Sequence, residues 1–281
     1  ELAPTDYVLK PFTADRLLER ITRALARRTV FMPVYQLMDE GSQRDAIEAC
    51  IEGGLAHPRY AIDFLRLRAE LHMFLGEPGE AEPIYRQLIE AKAIAWARLG
   101  LAKTLVMRER YDEARDILEN LVDTNKNFVD AYDWLAKTHA AAGDLAKSQA
   151  VLADAVAVSP HAVRRLRTLG EVAMEAGDVA CAERALKQVV AKAKYSEFRN
   201  PEDHVKLVQT LLAKGDPEQA AGVVRDLDRS MGGRANVAAC SAIASAMLHD
   251  HTGNKERAAE SLGAALAACD GSTGLSAGVK M

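Results

Sequence analysis

Between residues 129 and 162 the apolar positions fall three and four apart, stop, and then resume. Tyr132, Leu135, Ala136 and His139 share one face of a predicted helix. Gly143 follows as a left-handed exit, and Asp144 can cap the next helix. Ser148, Leu152, Ala155 and Val156 then line a second face before Pro160 ends it. The stretch reads as two helices joined by a tight turn, each with one side to bury.

The same pattern recurs along the chain. "WARLGLAKTLVMRERYDEARDILENLV" from Trp96, "DAYDWLAKTHAAAGDLAKSQAVLADAV" from Asp130 and "RRLRTLGEVAMEAGDVACAERALKQVV" from Arg164 align without gaps. A turn position followed five residues later by a small residue appears at Gly41/Ala46, Gly76/Ala81, Glu109/Ala114, Gly143/Ser148, Gly177/Ala182, Gly215/Ala220 and Gly253/Ala258. Successive intervals are 35, 33, 34, 34, 38 and 38 residues. Gly170, Ala136 and Ala182 keep the helices' contact points small. A period near 34 with two helices per unit resembles the tetratricopeptide repeat. That resemblance implies an all-α, right-handed α-solenoid of about seven helix hairpins over residues 29–270, since no hairpin can bury its apolar face alone. Arg98 at a usually apolar position, Glu109 at a turn glycine and Pro33 inside the first helix depart from the pattern. The two long intervals predict extra turns or longer helices around "KYSEFRNP" and "SMGGRAN".

The first 28 residues read differently. "DYVLKPF" at 6–12 is an apolar strand pattern running into Lys-Pro, and 13–28 forms a helix pattern. Thr13 is an N-cap candidate, and Leu17, Leu18, Ile21, Ala24 and Leu25 make one stripe. Glu19 and Arg23 are a favourable i,i+4 pair, and Arg27 and Arg28 suit the C-terminal end of the dipole. Residues 3–28 resemble the end of a bacterial response-regulator receiver domain: last strand, Lys-Pro-Phe, last helix. The resemblance implies that Tyr7 is the switch aromatic, Lys10 the phosphate-contacting lysine and Pro11 the residue after a cis peptide. It further implies a two-component phosphorelay protein whose receiver is truncated to a remnant strand and helix at 1–28, unable to accept phosphate. A strand without neighbours predicts self-association through that strand. Residues 271–281 read as a Gly/Ser-rich tail.

Composition narrows the function. There are 36 Lys+Arg against 40 Asp+Glu, a net charge of −4, with aromatics at 5%. No stretch has the length of apolar residues a membrane helix needs, and no export signal is apparent. Cys50, Cys181, Cys240 and Cys269 are scattered, as reduced thiols in cytoplasm would be. The charge disfavours a nucleic-acid binder, and an RNA-binding helical repeat stands as the alternative reading. A peptide-pheromone-sensing regulator would want a helix-turn-helix where the receiver-like segment stands.

No catalytic residue, metal site or cofactor is predicted. His249 and His251 lie two apart, on diverging sides of a helix, and "GGRAN" lacks the Lys-Ser/Thr of a phosphate loop. His139 and His204 fall at packing positions. The repeat resemblance instead implies a groove on the first helix of each hairpin that holds a protein or peptide partner. Its positions map to Asp63, Arg66, Glu70 and Met73; Trp96, Leu99 and Lys103; Asp130, Asp133 and Lys137; and Arg164, Arg167 and Glu171. The Lys/Asn/Lys/Arg set that clamps a C-terminal carboxylate is absent. Lys103, Lys137, Arg164 and Arg167 beside Trp96 suggest a basic ladder for acidic peptides with an apolar anchor. Solvated charges balanced by Asp130, Asp133 and Glu171 are the alternative. The expected role is a bacterial interaction scaffold, the output or adaptor module of a response regulator.

Overall fold

The computed structural model describes residues 10–92, 94–231 and 235–270. The described residues form fourteen α-helices and one 3-10 turn, with no strand. They divide into two compact units, one through Leu121 and one from Val122. The first holds α1 (Ala14–Asp39), α2 (Gln43–Ala56), the turn Pro58–Tyr60, α3 (Ala61–Phe74), α4 (Pro78–Ala91), α5 (Ala95–Met107) and most of α6 (Tyr111–Thr124). The second holds α7 (Val129–Ala141), α8 (Leu145–Val158), α9 (Val163–Glu175), α10 (Val179–Ala193), α11 (Glu202–Lys214), α12 (Pro217–Met231), α13 (Ala235–His251) and α14 (Lys255–Asp270).

Each expected turn position is where a hairpin folds back. Gly41, Gly76, Gly143, Gly177, Gly215 and Gly253 have φ between 72° and 84°, and Glu109 has φ 59°. All seven turns close with the same pair of backbone hydrogen bonds. At Gly143, its own N–H donates to Ala140 O and that of Asp144 donates to His139 O. The left-handed residue turns two orphan helix carbonyls toward donors. Asp144, Asp178 and Asp216 then cap the following helices, accepting from Lys147 N, Cys181 N and Gln219 N at 2.9–3.0 Å. Pro217 opens α12, where its missing N–H removes no hydrogen bond.

The small residue five positions on is fully enclosed in the first six hairpins, from Ala46 to Ala220, and half-buried at Ala258. In the first unit the core has two parts. Phe31, Val34, Ile47, Cys50, Phe64 and Leu71 form one, with the Phe31 and Phe64 rings stacked at 4.1 Å; Tyr85, Leu88, Leu101 and Leu105 centre the other. In the second unit Leu152 and Leu169 lead into Val163, Leu166 and Val189, and a larger cluster surrounds Leu211 and Leu227. Polar pegs also join successive hairpins. Glu82 of α4 meets Arg108 and Arg110 at the next turn, Gln149 donates to Asp178, and Lys214 donates to Glu183 of α10.

One expectation about organisation changes. The helix pattern at 13–28 does not end there: α1 is one 26-residue helix that runs through residue 28 and past Pro33 to Asp39. The reason is that Phe31 and Val34, the residues that bury α1 on its neighbours, continue the same helical register. The expected strand, with Tyr7 and the self-association assigned to it, lies outside the described residues apart from Lys10. The Lys10–Pro11 peptide is cis, and both side chains are exposed. The longer intervals near the C-terminus are taken up by residues 194–201 and by α12 and α13, of 15 and 17 residues.

Candidate partner-binding surfaces

In the first unit, Arg66, Glu70 and Trp96 come together. The Arg66 guanidinium stacks 4.9 Å over the Trp96 ring, and its Nε donates to Glu70 Oε1 at 2.7 Å. Stacking suits the planar cation, and the Arg66–Glu70 pair is one helical turn long on α3. Beneath them Tyr85 has its phenol pushed up to about 12, by burial first and then by the Glu70 charge. Other expected groove residues serve different ends. Asp63 accepts from Arg27 at 3.1 Å, and Met73 Sδ lies 3.1 Å from the Thr104 hydroxyl. Lys103 is half-buried on α5. Leu99 is a correction: it is buried at 5% exposure and packs in the interior. On an almost wholly apolar helix such as α5, sequence spacing does not tell which apolar side chain faces out.

In the second unit the charges reach between helices. Arg165 of α9 grips Asp133 of α7 with two hydrogen bonds of 2.7 and 2.8 Å. Arg167 grips Asp203 of α11 at 2.6 and 2.8 Å and donates to Phe198 O at 3.2 Å. Both guanidiniums are held more strongly protonated by the carboxylate they bond. Glu171 accepts from Lys206. Arg167 and Glu171 are therefore stacking residues, and the basic ladder loses Arg167 because Asp203, only 1% exposed, needs a cation.

What remains forms a cleft of about 470 Å³ between α7 and α9. Leu152, Val163 and Phe198 supply its apolar lining, and Asp130, Lys137, His161 and Arg164 its polar rim. The Lys137 ammonium sits 4.6 Å over the Trp134 ring. Arg164 is exposed and makes no ion pair among the described residues. Arg165, His161, Asp203 and Phe198 were not read as site or pairing residues from the sequence. Phe198 comes from the inserted "KYSEFRNP" segment, which has no equivalent in the shorter repeats.

The remaining titratable candidates are interior. His139 and His204 are buried at 5% and 3% exposure, as their packing positions implied. Burial pushes the Cys50 thiol up to about 12, against the opposing charge of Arg68, so it is a packing group. No three His, Cys, Asp or Glu residues among those described converge on a metal-sized site. No described helix is long and apolar enough to cross a membrane.

Antiparallel hairpins with one recurrent turn, a shared small contact and polar side chains along the first helices define a helical-repeat scaffold, a fold class that is typically non-enzymatic. Two tetratricopeptide-repeat family models match residues 75–138 and 135–197, so these stretches are similar to that repeat. The chain is similar in fold to the C-terminal part of a repeat-containing protein from Cytophaga hutchinsonii, at 13% identity and TM-score 0.64, over 87% of this chain and all of that one. A tetratricopeptide-repeat protein from Parabacteroides merdae aligns at 14% identity and TM-score 0.55, over 85% of this chain and 92% of that one. YrrB, described as a repeat protein with an unusual peptide-binding site, aligns at 14% and 0.51, over 66% of this chain and 91% of its own. No curated protein matches the sequence. Proteins of this repeat class generally mediate protein–protein interactions.

Proposed function

We propose that this chain is an interaction scaffold that holds an acidic peptide segment of a partner protein in the α7–α9 cleft. The observation that carries the reading is Arg164: an exposed guanidinium with no ion pair among the described residues, lining one cleft with Lys137 and an apolar floor. A partner carboxylate would complete Arg164 with a bidentate pair, and an apolar or aromatic side chain would fill the space against Leu152, Val163 and Phe198. Asp130 on the opposite rim disfavours uniformly acidic segments, so the preferred peptide carries one or two carboxylates next to its anchor. The Arg66–Trp96 pair of the first unit offers a second surface of similar chemistry. The finer role, output module of a two-component response regulator, rests on the 3–28 resemblance alone; the family models begin at residue 75.

Selection from a random peptide library tests the cleft. The wild-type chain should enrich peptides with Asp or Glu beside a large apolar residue. A Lys137→Glu/Arg164→Glu variant should bind those peptides at least tenfold more weakly while keeping its helical signal. Enrichment of the same peptides by both proteins would refute the assignment. Arg167 is the wrong residue to change here, because its loss strands Asp203.

A further inference from the structure

The N-terminal half of α1 carries an apolar stripe that nothing among the described residues of the first unit covers. Leu18, Ile21 and Leu25 are 64%, 46% and 60% exposed. Their i, i+3, i+7 spacing sets them on one face, the geometry of a helix seam. Met32 and Tyr35 continue the line and are also exposed. The buried residues of α1, Phe31 and Val34, begin only in its second half. Its partner α2 has 14 residues against the 26 of α1, so roughly 18 Å of helix extends past the paired length. Beside the stripe, a cleft of about 490 Å³ opens between α1 and the Pro58–Tyr60 turn, with Thr22, Ala26 and Tyr60 in its lining.

The charges say what covers it. Arg28 stands in the seam, three residues after Leu25 and four before Met32, exposed and in no ion pair among the described residues. Residues 14–28 hold Arg16, Arg20, Arg23, Arg27 and Arg28 against Asp15 and Glu19, a net of +3. Glu19 is already bonded to Arg23 at 2.8 Å, and Arg27 donates to Asp63 of α3 at 3.1 Å, which offsets one of these charges. A second copy of the arm would set two surfaces of net positive charge against each other and place Arg28 against itself or a leucine. We infer that the arm docks an acidic amphipathic helix of a partner protein. Apolar residues of that helix at heptad spacing cover Leu18, Ile21 and Leu25, and one carboxylate lies opposite Arg28. This surface is independent of the α7–α9 cleft.

Fluorescence anisotropy with the full chain and two synthetic 21-residue helical peptides tests it. Both carry leucine at the seam positions; one has glutamate and the other lysine at the flanking positions. The glutamate peptide should bind and the lysine peptide should bind at least tenfold more weakly. Leu18→Ser/Leu25→Ser should weaken the glutamate peptide at least tenfold with the circular dichroism unchanged, both side chains being exposed. Arg28→Glu should shift the ratio of the two affinities toward the lysine peptide at least tenfold. Lys137→Glu/Arg164→Glu should leave this binding intact. Glutamate-peptide binding that survives the double serine change would overturn the proposal, showing attraction by charge alone. A wild-type dimer in sedimentation that the serine variant converts to monomer would overturn it equally, since a second copy would then be the occupant.

Discussion

Two arginine–carboxylate pairs on the first helices of their hairpins, one in each unit, look alike in chemistry and differ in consequence. In the first unit Arg66 and Glu70 pair along α3, with side chains 48% and 47% exposed. In the second, Arg167 and Asp203 join α9 to α11 across 36 residues, with side chains 20% and 1% exposed. An exposed pair one turn long gains little, because water screens it and ordering two side chains costs entropy. A buried carboxylate that loses its cation keeps the whole desolvation penalty. The same residue type is thus exchangeable at position 66, where a partner's carboxylate can replace Glu70, and structural at position 167.

Removing each arginine breaks the comparison open. Arg167→Ala should destabilise the fold by about 3–5 kcal/mol, the cost of stranding a buried charge. Arg66→Ala should cost no more than about 0.5 kcal/mol through the ion pair. Urea denaturation followed by circular dichroism measures both. An Arg167→Met/Asp203→Leu double variant should recover most of the loss, since apolar groups of similar size satisfy that space without a charge. Equal effects at positions 66 and 167 would erase the distinction.

Glycines at helix contacts sharpen the contrast at a smaller scale. A Cβ on Gly100 of α5 would meet the Tyr85 ring at 2.2 Å, whereas one on Gly170 of α9 would meet Leu186 Cγ at 2.8 Å. Both neighbours are buried, Tyr85 at 5% and Leu186 at 1% exposure, so the deeper overlap at the rigid ring sets the order. Gly100→Ala should therefore cost about 2–3 kcal/mol and Gly170→Ala nearer 1, both being overpacking penalties. A reversed order in thermal unfolding would mean that the α4–α5 contact yields more easily than the ring suggests.

The turns allow a test of opposite sign. Glu109 takes the left-handed conformation at φ 59°, which costs a side-chain-bearing residue about 1 kcal/mol or slightly more. Gly143 occupies the equivalent turn of the next hairpin at φ 84°, with open space where a Cβ would stand. Glu109→Gly should raise the denaturation midpoint and Gly143→Ala should lower it by a similar amount.

The turns were legible in the sequence because a left-handed residue and a small residue five positions later leave a spacing that repeats. The helices between them followed from apolar positions three and four apart. Which charges were free was not legible. Arg164, Arg165 and Arg167 sit within four residues of one another, and their partners lie some thirty residues away on neighbouring helices or nowhere among those described. Asp203 follows an insertion that shifts the local register, so alignment of the repeats could not place it opposite Arg167. Leu99 was misread because α5 is apolar on nearly every side. The cleft's Phe198 comes from the same insertion and has no counterpart to align with.

Asp203 and His204 are neighbours on α11, and one pH experiment separates them. Asp203 is buried with its cation; His204, 3% exposed, faces Asp226 across 3.9 Å, too far for a hydrogen bond. Burial lowers the His204 pKa, against the smaller pull of Asp226 and Asp203, with Arg199 adding to the lowering. The imidazole is therefore neutral in the folded chain at a pH where the unfolded chain has begun to bind a proton. Stability from this residue is fully present above its unfolded pKa of about 6.5 and declines as pH falls from there toward the lower folded value. Denaturation midpoints measured from pH 7.5 down to pH 5 should fall more steeply for the wild type than for His204→Gln, which cannot take up the proton. Parallel profiles for the two proteins would mean that His204 reaches water in the folded state and that α11 opens more readily than its ion pair to α9 implies.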